Sequence, residues 1–201
     1  MLRFALLADG PRDRALLSII RWVLLQLVPA LELPEPGFRA RGPGRDIADE
    51  MREAIRIHSP GILFVHRDAE GQDPALRRRQ IPDIDAPLVR VVPVRMTEAW
   101  LLIDEAAIRT AASHPRGRGD LGLPPLHQLE RVPDPKAILE QALLVAAEVR
   151  GRRRKVMQRD LPELCRRVAD LIDNFAPLRR LPAFATFERD CRSALDQLRL
   201  L

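Results

Sequence analysis

The chain has 201 residues, of which 46% are hydrophobic and 30% are charged. This length and composition fit one globular domain with a sizeable core, and they exclude a disordered chain or a membrane-embedded one. The two cysteines, Cys165 and Cys191, follow no zinc-ligand or disulfide spacing and favour a reducing cytoplasm, while the net charge of +5 is compatible with a polyanionic partner.

The first half of the chain alternates apolar runs with helical patterns, separated by Pro, Gly and acidic turns. The predicted elements, in chain order, are a strand at 1–8, a helix at 15–28, a short strand at 38–41, a helix at 46–58, a strand at 62–65, a polar helix or loop up to 80, a strand at 88–94 that is broken by Pro93, and a helix at 98–111. Thr97 is expected to cap the last of these helices. Strands that are apolar throughout and alternate with helices predict an α/β fold with a mainly parallel sheet flanked by helices.

The second half has a different pattern, which predicts a helical C-terminal extension. Residues 114–126 form a loop rich in Pro, Gly and Arg, and three helices are expected after it, at 135–150, 161–175 and 183–200. We therefore expect an α/β core at residues 1–112 and a helical extension at residues 113–201 that packs on the core as a single globular unit.

Carboxylates follow the predicted strands. Asp9 comes directly after the first strand, Asp68 and Glu70 follow the second apolar strand, and Glu98 begins the helix after the third. Ligands of open parallel sheets bind beyond the carboxyl ends of the strands, so these four side chains are expected to share one edge. Oxygen ligands of this kind suit Mg²⁺ or Mn²⁺, and such ions support phosphodiester cleavage. The alternative is that each carboxylate only forms a turn or stabilises a helix N-terminus.

Two stretches resemble motifs of the Toprim domain. The segment Ala8-Asp9-Gly10-Pro11-Arg12-Asp13 resembles the first motif, a Glu-Gly pair after strand one, and Asp68-Ala69-Glu70 resembles the Asp-x-Asp of the second. The run from His66 to Asp73 is similar, more narrowly, to a small Toprim-related bacterial family, domain of unknown function 4276. Further stretches that agree with this family are Val94 to Asp104, Asp134-Pro135-Lys136, and Leu181-Pro182-Ala183-Phe184 with Phe187.

The resemblance implies a Toprim-like fold and roles for the strand-end carboxylates. It gives Asp9 a proton-transfer role or a place among the metal ligands, makes Asp68 and Glu70 catalytic metal ligands, and makes Glu98 an accessory acidic residue at the metal. The chain departs from the Toprim pattern at two positions, with Asp9 in place of Glu and Glu70 in place of the second Asp. Each exchange changes the reach of the carboxylate by one methylene.

Toprim domains occur in topoisomerases, primases and nucleases. The chain has no Tyr, which removes the topoisomerase branch, and two distant cysteines cannot supply the zinc module usual in primases. The resemblance therefore implies a nuclease or phosphodiesterase dependent on Mg²⁺ or Mn²⁺, with a role in defence against mobile DNA by analogy. The alternatives are a non-catalytic module that binds nucleic acid or a protein partner such as an ATPase, and an unrelated α/β enzyme with a small-molecule substrate.

Arginines supply the candidate contacts to nucleic acid, either DNA or RNA. Arg12 and Arg67 lie beside the acidic turns and can contact phosphate, and the run Arg77, Arg78 and Arg79 lies near the same edge. The densest basic run, residues 150–155, can clamp a phosphate backbone, or it can be a solvated helix end.

Overall fold

A parallel sheet organises the amino-terminal half of the protein. In the computed structural model, which describes residues 1–69 and 71–201, the strands are β1 (Phe4–Ala8), β2 (Gly37–Ala40), β3 (Ile62–His66) and β4 (Leu88–Val91). They form one sheet in the order β2-β1-β3-β4, and every neighbouring pair is parallel. Strand β2 pairs with one side of β1, and β3 pairs with the other side. The strand order therefore reverses, and a topological switch point lies between β1 and β3.

Helices connect the strands and form the rest of the chain. They are α1 (Leu16–Leu27), α2 (Ile47–His58), α3 (Pro74–Arg79), α4 (Glu105–Ala111), α5 (Pro135–Ala146), α6 (Gly151–Leu171) and α7 (Pro182–Gln197). Short 3₁₀ helices occur at Pro11–Ala15, Thr97–Leu101, Leu126–Arg131 and Ala176–Arg180. The predicted fold class is confirmed: the protein has an α/β fold with a parallel sheet flanked by helices and a helical C-terminal part, an architecture consistent with a Toprim-like fold.

Both faces of the sheet are covered, which explains why the strands are apolar throughout. Along β1, Phe4 and Leu6 point to one face, while Ala5 and Leu7 point to the other. The first face packs in the larger core, with α1 and the C-terminal helices, and the second packs against α2. Side chains of a strand alternate between the faces, so a strand buried on both sides needs apolar residues at every position.

Aromatic side chains join the C-terminal helices to the sheet. Phe187 of α7 lies with its ring centroid 6.4 Å from that of Phe64 in β3 and 5.9 Å from that of Trp100. Phe184, one turn earlier, packs edge-to-face on Trp100 at 5.2 Å. Helix α7 therefore shares its core with the sheet, while the boundary at residue 112 stays a prediction.

The helix predicted at 98–111 is wrong in its first part. Residues Thr97–Leu101 form a 3₁₀ helix, and α4 begins only at Glu105. Asp104 is extended and its carboxylate accepts a hydrogen bond from the Ala107 amide at 2.9 Å, so it starts a new helix. Thr97 does not cap a helix, because its hydroxyl lies against His66 instead.

Other boundaries differ from the sequence predictions. Strand β4 ends at Val91 rather than 94, since Pro93 has no amide to donate. Helix α5 ends four residues earlier than predicted, whereas α6 begins ten residues earlier. Within the described residues, the helices are all too short or too polar to cross a membrane.

Candidate metal site

The carboxyl ends of β1 and β3 meet at the switch point of the sheet. Asp9 follows β1 directly, Asp13 lies in the 3₁₀ helix after it, His66 is the last residue of β3, and Asp68 comes two residues later. Glu98, in the 3₁₀ helix after β4, faces the same cleft, which has a volume of about 340 Å³. Its lining is Asp9, Gly10, Pro11, Arg12, Asp13, Asp68, Met96, Glu98 and Lys136. Three of the predicted carboxylates therefore line one cleft, together with Asp13.

Asp13 and Asp68 of this cleft form a close cluster with the buried His66. The Nε2 atom of His66 lies 3.1 Å from Asp68 Oδ1, and its Nδ1 atom lies 3.4 Å from Asp13 Oδ2. One potential ligand atom from each residue lies within 4.8 Å of the others. This Asp-His-Asp group can hold a metal ion.

The backbone fixes Asp13 in this position. The Gly10 amide donates a hydrogen bond of 2.8 Å to Asp13 Oδ2, which closes the turn that follows β1. On the other side of the cluster, Thr97 places its Oγ1 atom 3.2 Å from His66 Nε2. The imidazole is fully buried. Because it contacts Asp13, Asp68 and Thr97, the segments after β1, β3 and β4 all meet at this one histidine.

The electrostatics of the cluster favour a charged histidine. Burial alone lowers the pKa of His66, but hydrogen bonds and charges from Asp13 and Asp68 outweigh it and raise the pKa to about 10. Burial likewise raises the pKa of Asp13, and the hydrogen bond and positive charge of His66 reverse this effect, so the pKa of Asp13 is lowered. Without a bound ion, the imidazolium is thus the counter-charge of the cluster.

One imidazolium does not compensate all the carboxylates. The pKa of Asp68 is raised, because burial outweighs the contact with His66 and because Asp13 and Asp9 add negative charge nearby. The pKa of Glu98 is also raised, first by burial and then by the charges of Asp68 and Asp13, although Lys136 opposes the shift. Such a surplus of buried carboxylate is what a bound cation relieves.

Asp9 has a different environment from the other carboxylates. Its Oδ1 atom accepts a hydrogen bond from Arg41 Nη1 at 2.8 Å and lies 3.5 Å from Arg67 Nε. Its Oδ2 atom lies 3.3 Å from the backbone amide of Asp68. Asp9 therefore carries its own cationic partners and helps hold the turn after β3.

The remaining candidate residues are placed as follows. Glu70, predicted to be catalytic and a metal ligand, lies outside the described residues. Arg12 lines the cleft and forms an ion pair of 3.2 Å with Glu140, while Arg67 lies against Asp9. Of the basic run in α3, Arg77 is buried, Arg78 pairs with Asp190 of α7, and Arg79 is exposed.

Two residues that line the cleft, Asp13 and Lys136, were absent from the predicted site, and so were the buried His66 and Thr97 that contact it. Asp13 carried a usable signal, because an acidic residue three positions after Gly10 can cap the turn at the end of β1. His66 adjoins the acidic turn in the sequence, but only the structure shows that its two nitrogens face two carboxylates. Lys136 reaches the cleft from α5, and its distance along the chain gave no signal.

The donor set fits a divalent ion. Carboxylates suit Mg²⁺ and Mn²⁺, whereas an imidazole nitrogen suits transition metals. Nδ1 of His66 is buried, and its contact to Asp13 Oδ2, at 3.4 Å, is longer than an ordinary hydrogen bond. A metal ligand must be deprotonated, so an ion at either ring nitrogen displaces the proton that the imidazole holds.

No family model, curated protein or solved structure matches the chain.

Proposed function

We propose that the protein is a metal-dependent phosphodiesterase of the Toprim-like type, a nuclease whose substrate is DNA or RNA. The observation that carries the proposal is the convergence of Asp13, Asp68 and Glu98 in one cleft at the switch point of a parallel sheet, where the buried His66 clusters with Asp13 and Asp68. Ligand sites of open α/β sheets lie at such points. A role in defence against mobile DNA belongs to the same proposal and depends on the resemblance alone.

The cleft supplies groups for a divalent cation and for a phosphate. Asp68, Asp13 and Glu98 would hold the ion with His66, and the mixed oxygen and nitrogen donors favour Mn²⁺ over Mg²⁺. A bound divalent ion activates water and stabilises the leaving oxygen of a phosphodiester. Arg12 and Lys136 line the same cleft and can hold phosphate oxygens.

Asp9 acts in this proposal as a positioning residue. Its carboxylate links Arg41 at the end of β2 to the amide of Asp68. The turn that carries Asp68 is therefore held from the neighbouring strand. This role replaces the proton-transfer role that the resemblance implies, because both oxygens of Asp9 already accept contacts.

The second candidate function is a non-catalytic module that binds nucleic acid or a protein partner such as an ATPase. A specific observation favours it: the positive charges of His66 and Arg41 already neutralise Asp13 and Asp9 in the absence of any ion. A cluster compensated in this way is stable as a structural element. With either function, we place the protein in the cytoplasm, and the free thiols of Cys165 and Cys191 support this location.

Calorimetric titration with Mn²⁺ and Mg²⁺ tests the proposal. We compare the wild type with Asp68→Asn, which removes one charge from the cleft, and with Asp85→Asn, which removes one charge from an exposed residue before β4, at the opposite edge of the sheet. The proposal expects saturable Mn²⁺ binding in the wild type and in Asp85→Asn, a loss of binding in Asp68→Asn, and metal-dependent cleavage of end-labelled DNA or RNA that follows the same order.

Two results would reject the enzymatic proposal. Wild-type protein that binds neither ion would leave the non-catalytic module as the better candidate. Binding that persists in Asp68→Asn would place the ion elsewhere in the molecule.

A further inference from the structure

Arg150, at the N-cap, and the first half of α6 together carry the entire net charge of the protein. Residues 150–160, named here the basic arm, hold six of the 33 basic residues and one of the 28 acidic residues. The arm therefore has a net charge of +5, and the rest of the chain has 27 residues of each sign. The charge excess is a local property of one segment.

The arm is uncovered. Every residue from Arg150 to Asp160 is at least partly exposed, and the first buried residue of α6 is Leu161. An exposed helical segment about 15 Å long therefore precedes the packed half of the helix. Hydrophobic periodicity predicts the helix only from residue 161, because the arm has no apolar face that such a pattern can detect.

The cations of the arm have no ion-pair partner in the part of the chain that the structure describes. Among the described residues, no ion pair involves Arg150, Arg152, Arg153, Arg154, Lys155 or Arg159. Unpaired cations are electrostatically unfavourable at this position, because the N-terminus of a helix is the positive end of its dipole and the first turn of α6 contains no acidic residue. Many other arginines do have carboxylate partners, among them Arg39, Arg41, Arg78, Arg90, Arg109, Arg166 and Arg179.

Helix α6 runs from the arm to the acidic cleft. Its packed half contacts the 3₁₀ helix Pro11–Ala15, which forms one wall of the cleft. Cys165 is close enough that the charges of Glu98, Arg12 and Lys136 act on its thiol. From Cys165 to Arg152 the helix extends about 20 Å. A chain bound along the arm would therefore be led toward the cleft.

We propose that the basic arm binds the phosphate backbone of a nucleic acid, without regard to sequence, and directs it to the cleft. A duplex presents roughly nine phosphate charges over the length of the arm. The arm contains no aromatic residue on which bases could stack, so its contacts are electrostatic. This proposal goes beyond the enzymatic function, because the arm binds whether or not the cleft hydrolyses the bound chain.

The two sides of the arm differ in chemistry, and this difference distinguishes a nucleic acid from an acidic protein as the partner. Arg152, Val156 and Met157 line a groove between the arm and the end of α4. By helical spacing, Arg154, Lys155 and Arg159 lie on the side away from this groove. A nucleic acid needs the outward cations, whereas an acidic amphipathic segment would also need the apolar groove.

Fluorescence anisotropy with a labelled 20-base-pair duplex, measured in EDTA over a range of salt concentrations, tests the proposal. The variant Arg154→Ala/Lys155→Ala/Arg159→Ala removes the outward cations and keeps a good helix former at each position. We expect it to bind at least about tenfold more weakly at 0.1 M salt, with the slope of log K against log salt reduced by about 2 to 3. The matched control, Arg131→Ala/Arg180→Ala/Arg192→Ala, removes three exposed arginines outside the arm and should stay close to wild type.

Three outcomes would overturn the proposal. The first is that the wild type fails to bind the duplex at low salt, and the second is that the control loses as much affinity as the arm variant. The third is that a poly-glutamate peptide binds in place of the duplex and that Val156→Ser weakens this peptide binding. Failure of the enzymatic proposal is distinguishable, because the duplex titration in EDTA measures binding without the ion and without cleavage. If both proposals hold, the arm variant raises KM for cleavage and leaves kcat nearly unchanged.

Discussion

Asp13 and His66 connect the segments that follow two neighbouring strands, with Oδ2 of Asp13 lying 3.4 Å from Nδ1 of His66. The other nitrogen of the same ring faces Asp68 at 3.1 Å. A histidine between two carboxylates can hold a proton, or it can give up that proton to an ion. The protonation state of His66 would therefore distinguish the metal-free protein from the metal-bound form proposed above.

In the metal-free protein, stability should fall as the pH rises above neutrality. The pKa of His66 is about 10 in the folded state and about 6.5 when unfolded. The folded state therefore binds a proton that the unfolded state releases between these values. The resulting stabilisation is fully present below pH 6.5 and is lost as the pH passes through 10, and the free energy of unfolding should drop by about 3 kcal/mol between pH 7 and pH 10.

Urea denaturation in EDTA at several pH values measures this loss. The pKa values of Cys165 and Cys191 are also raised by burial, which lowers stability in the same direction at high pH. The comparison is therefore made in a Cys165→Ala/Cys191→Ala background, and ring ¹⁵N shifts report the protonation of His66 directly. An imidazole that titrates near pH 6.5 would contradict the proposed counter-charge.

Replacing Asp9 should affect metal binding much less than replacing Asp68. Both oxygens of Asp9 are engaged, one by Arg41 and the other by the Asp68 amide. We expect Asp9→Asn to change the Kd for Mn²⁺ by less than about threefold, while Asp68→Asn raises it by at least about tenfold, which is roughly 1.4 kcal/mol. Equal losses in the two variants would mean that Asp9 leaves Arg41 and ligates the ion, as the resemblance implies.

The sequence predicted the sheet and the acidic edge because both depend on local patterns. Apolar runs such as residues 62–65 mark a strand buried on both faces, and Asp9 and Asp68 follow their strands directly. The parallel arrangement of such strands then places these residues at one edge. The sequence thus predicts where the acidic cleft lies.

The partners of these residues were not available from the sequence. Arg41 and Asp9 are far apart in the chain, and nothing in their local context indicates that they pair. Lys136 likewise reaches the cleft only because α5 packs beside the 3₁₀ helix Thr97–Leu101. Side-chain pairing of this kind is decided by tertiary packing, and it distinguishes Asp68, the proposed ligand, from Asp9, whose carboxylate is paired with Arg41.

The buried carboxylate of Glu50, which lies outside the cleft, should be important for stability. It is fully buried in α2 and accepts hydrogen bonds from Arg39 Nε at 2.6 Å and from the Gly42 amide at 3.3 Å, while Arg45 lies 3.0 Å away. Glu50→Gln removes the charge that compensates two arginines, so the free energy of unfolding should fall by about 3 kcal/mol. Thermal or urea denaturation measures the loss.

The acid limb of the stability curve provides an independent check on Glu50. The hydrogen bond from Arg39 lowers the pKa of Glu50 more than burial raises it, so its contribution is present above pH 4.5 and is lost as the pH falls through the lower folded-state value. Glu50→Gln should therefore flatten this limb. The control, Glu53→Gln, breaks an exposed ion pair with Arg56 on the same helix and should have much less effect. Similar losses in both variants would rule out a special role for the buried pair.

Phe187 should determine whether the C-terminal helices and the sheet unfold together. Its buried ring contacts Phe64 of β3, Trp100 and Phe184, so it belongs to the core that α7 shares with the sheet. Phe187→Ala should lower the free energy of unfolding by about 3 to 5 kcal/mol, whereas Ile57→Ala, at an apolar residue that is 48% exposed, should change it little.

Because the cavity would open between the helix and the sheet, both parts should lose stability in a single transition, detected identically by tryptophan fluorescence and far-ultraviolet circular dichroism. Two separate transitions in the variant would show instead that residues 113–201 form an independent unit, and the cleft, which draws Lys136 from that part of the chain, would then depend on the docking of two units.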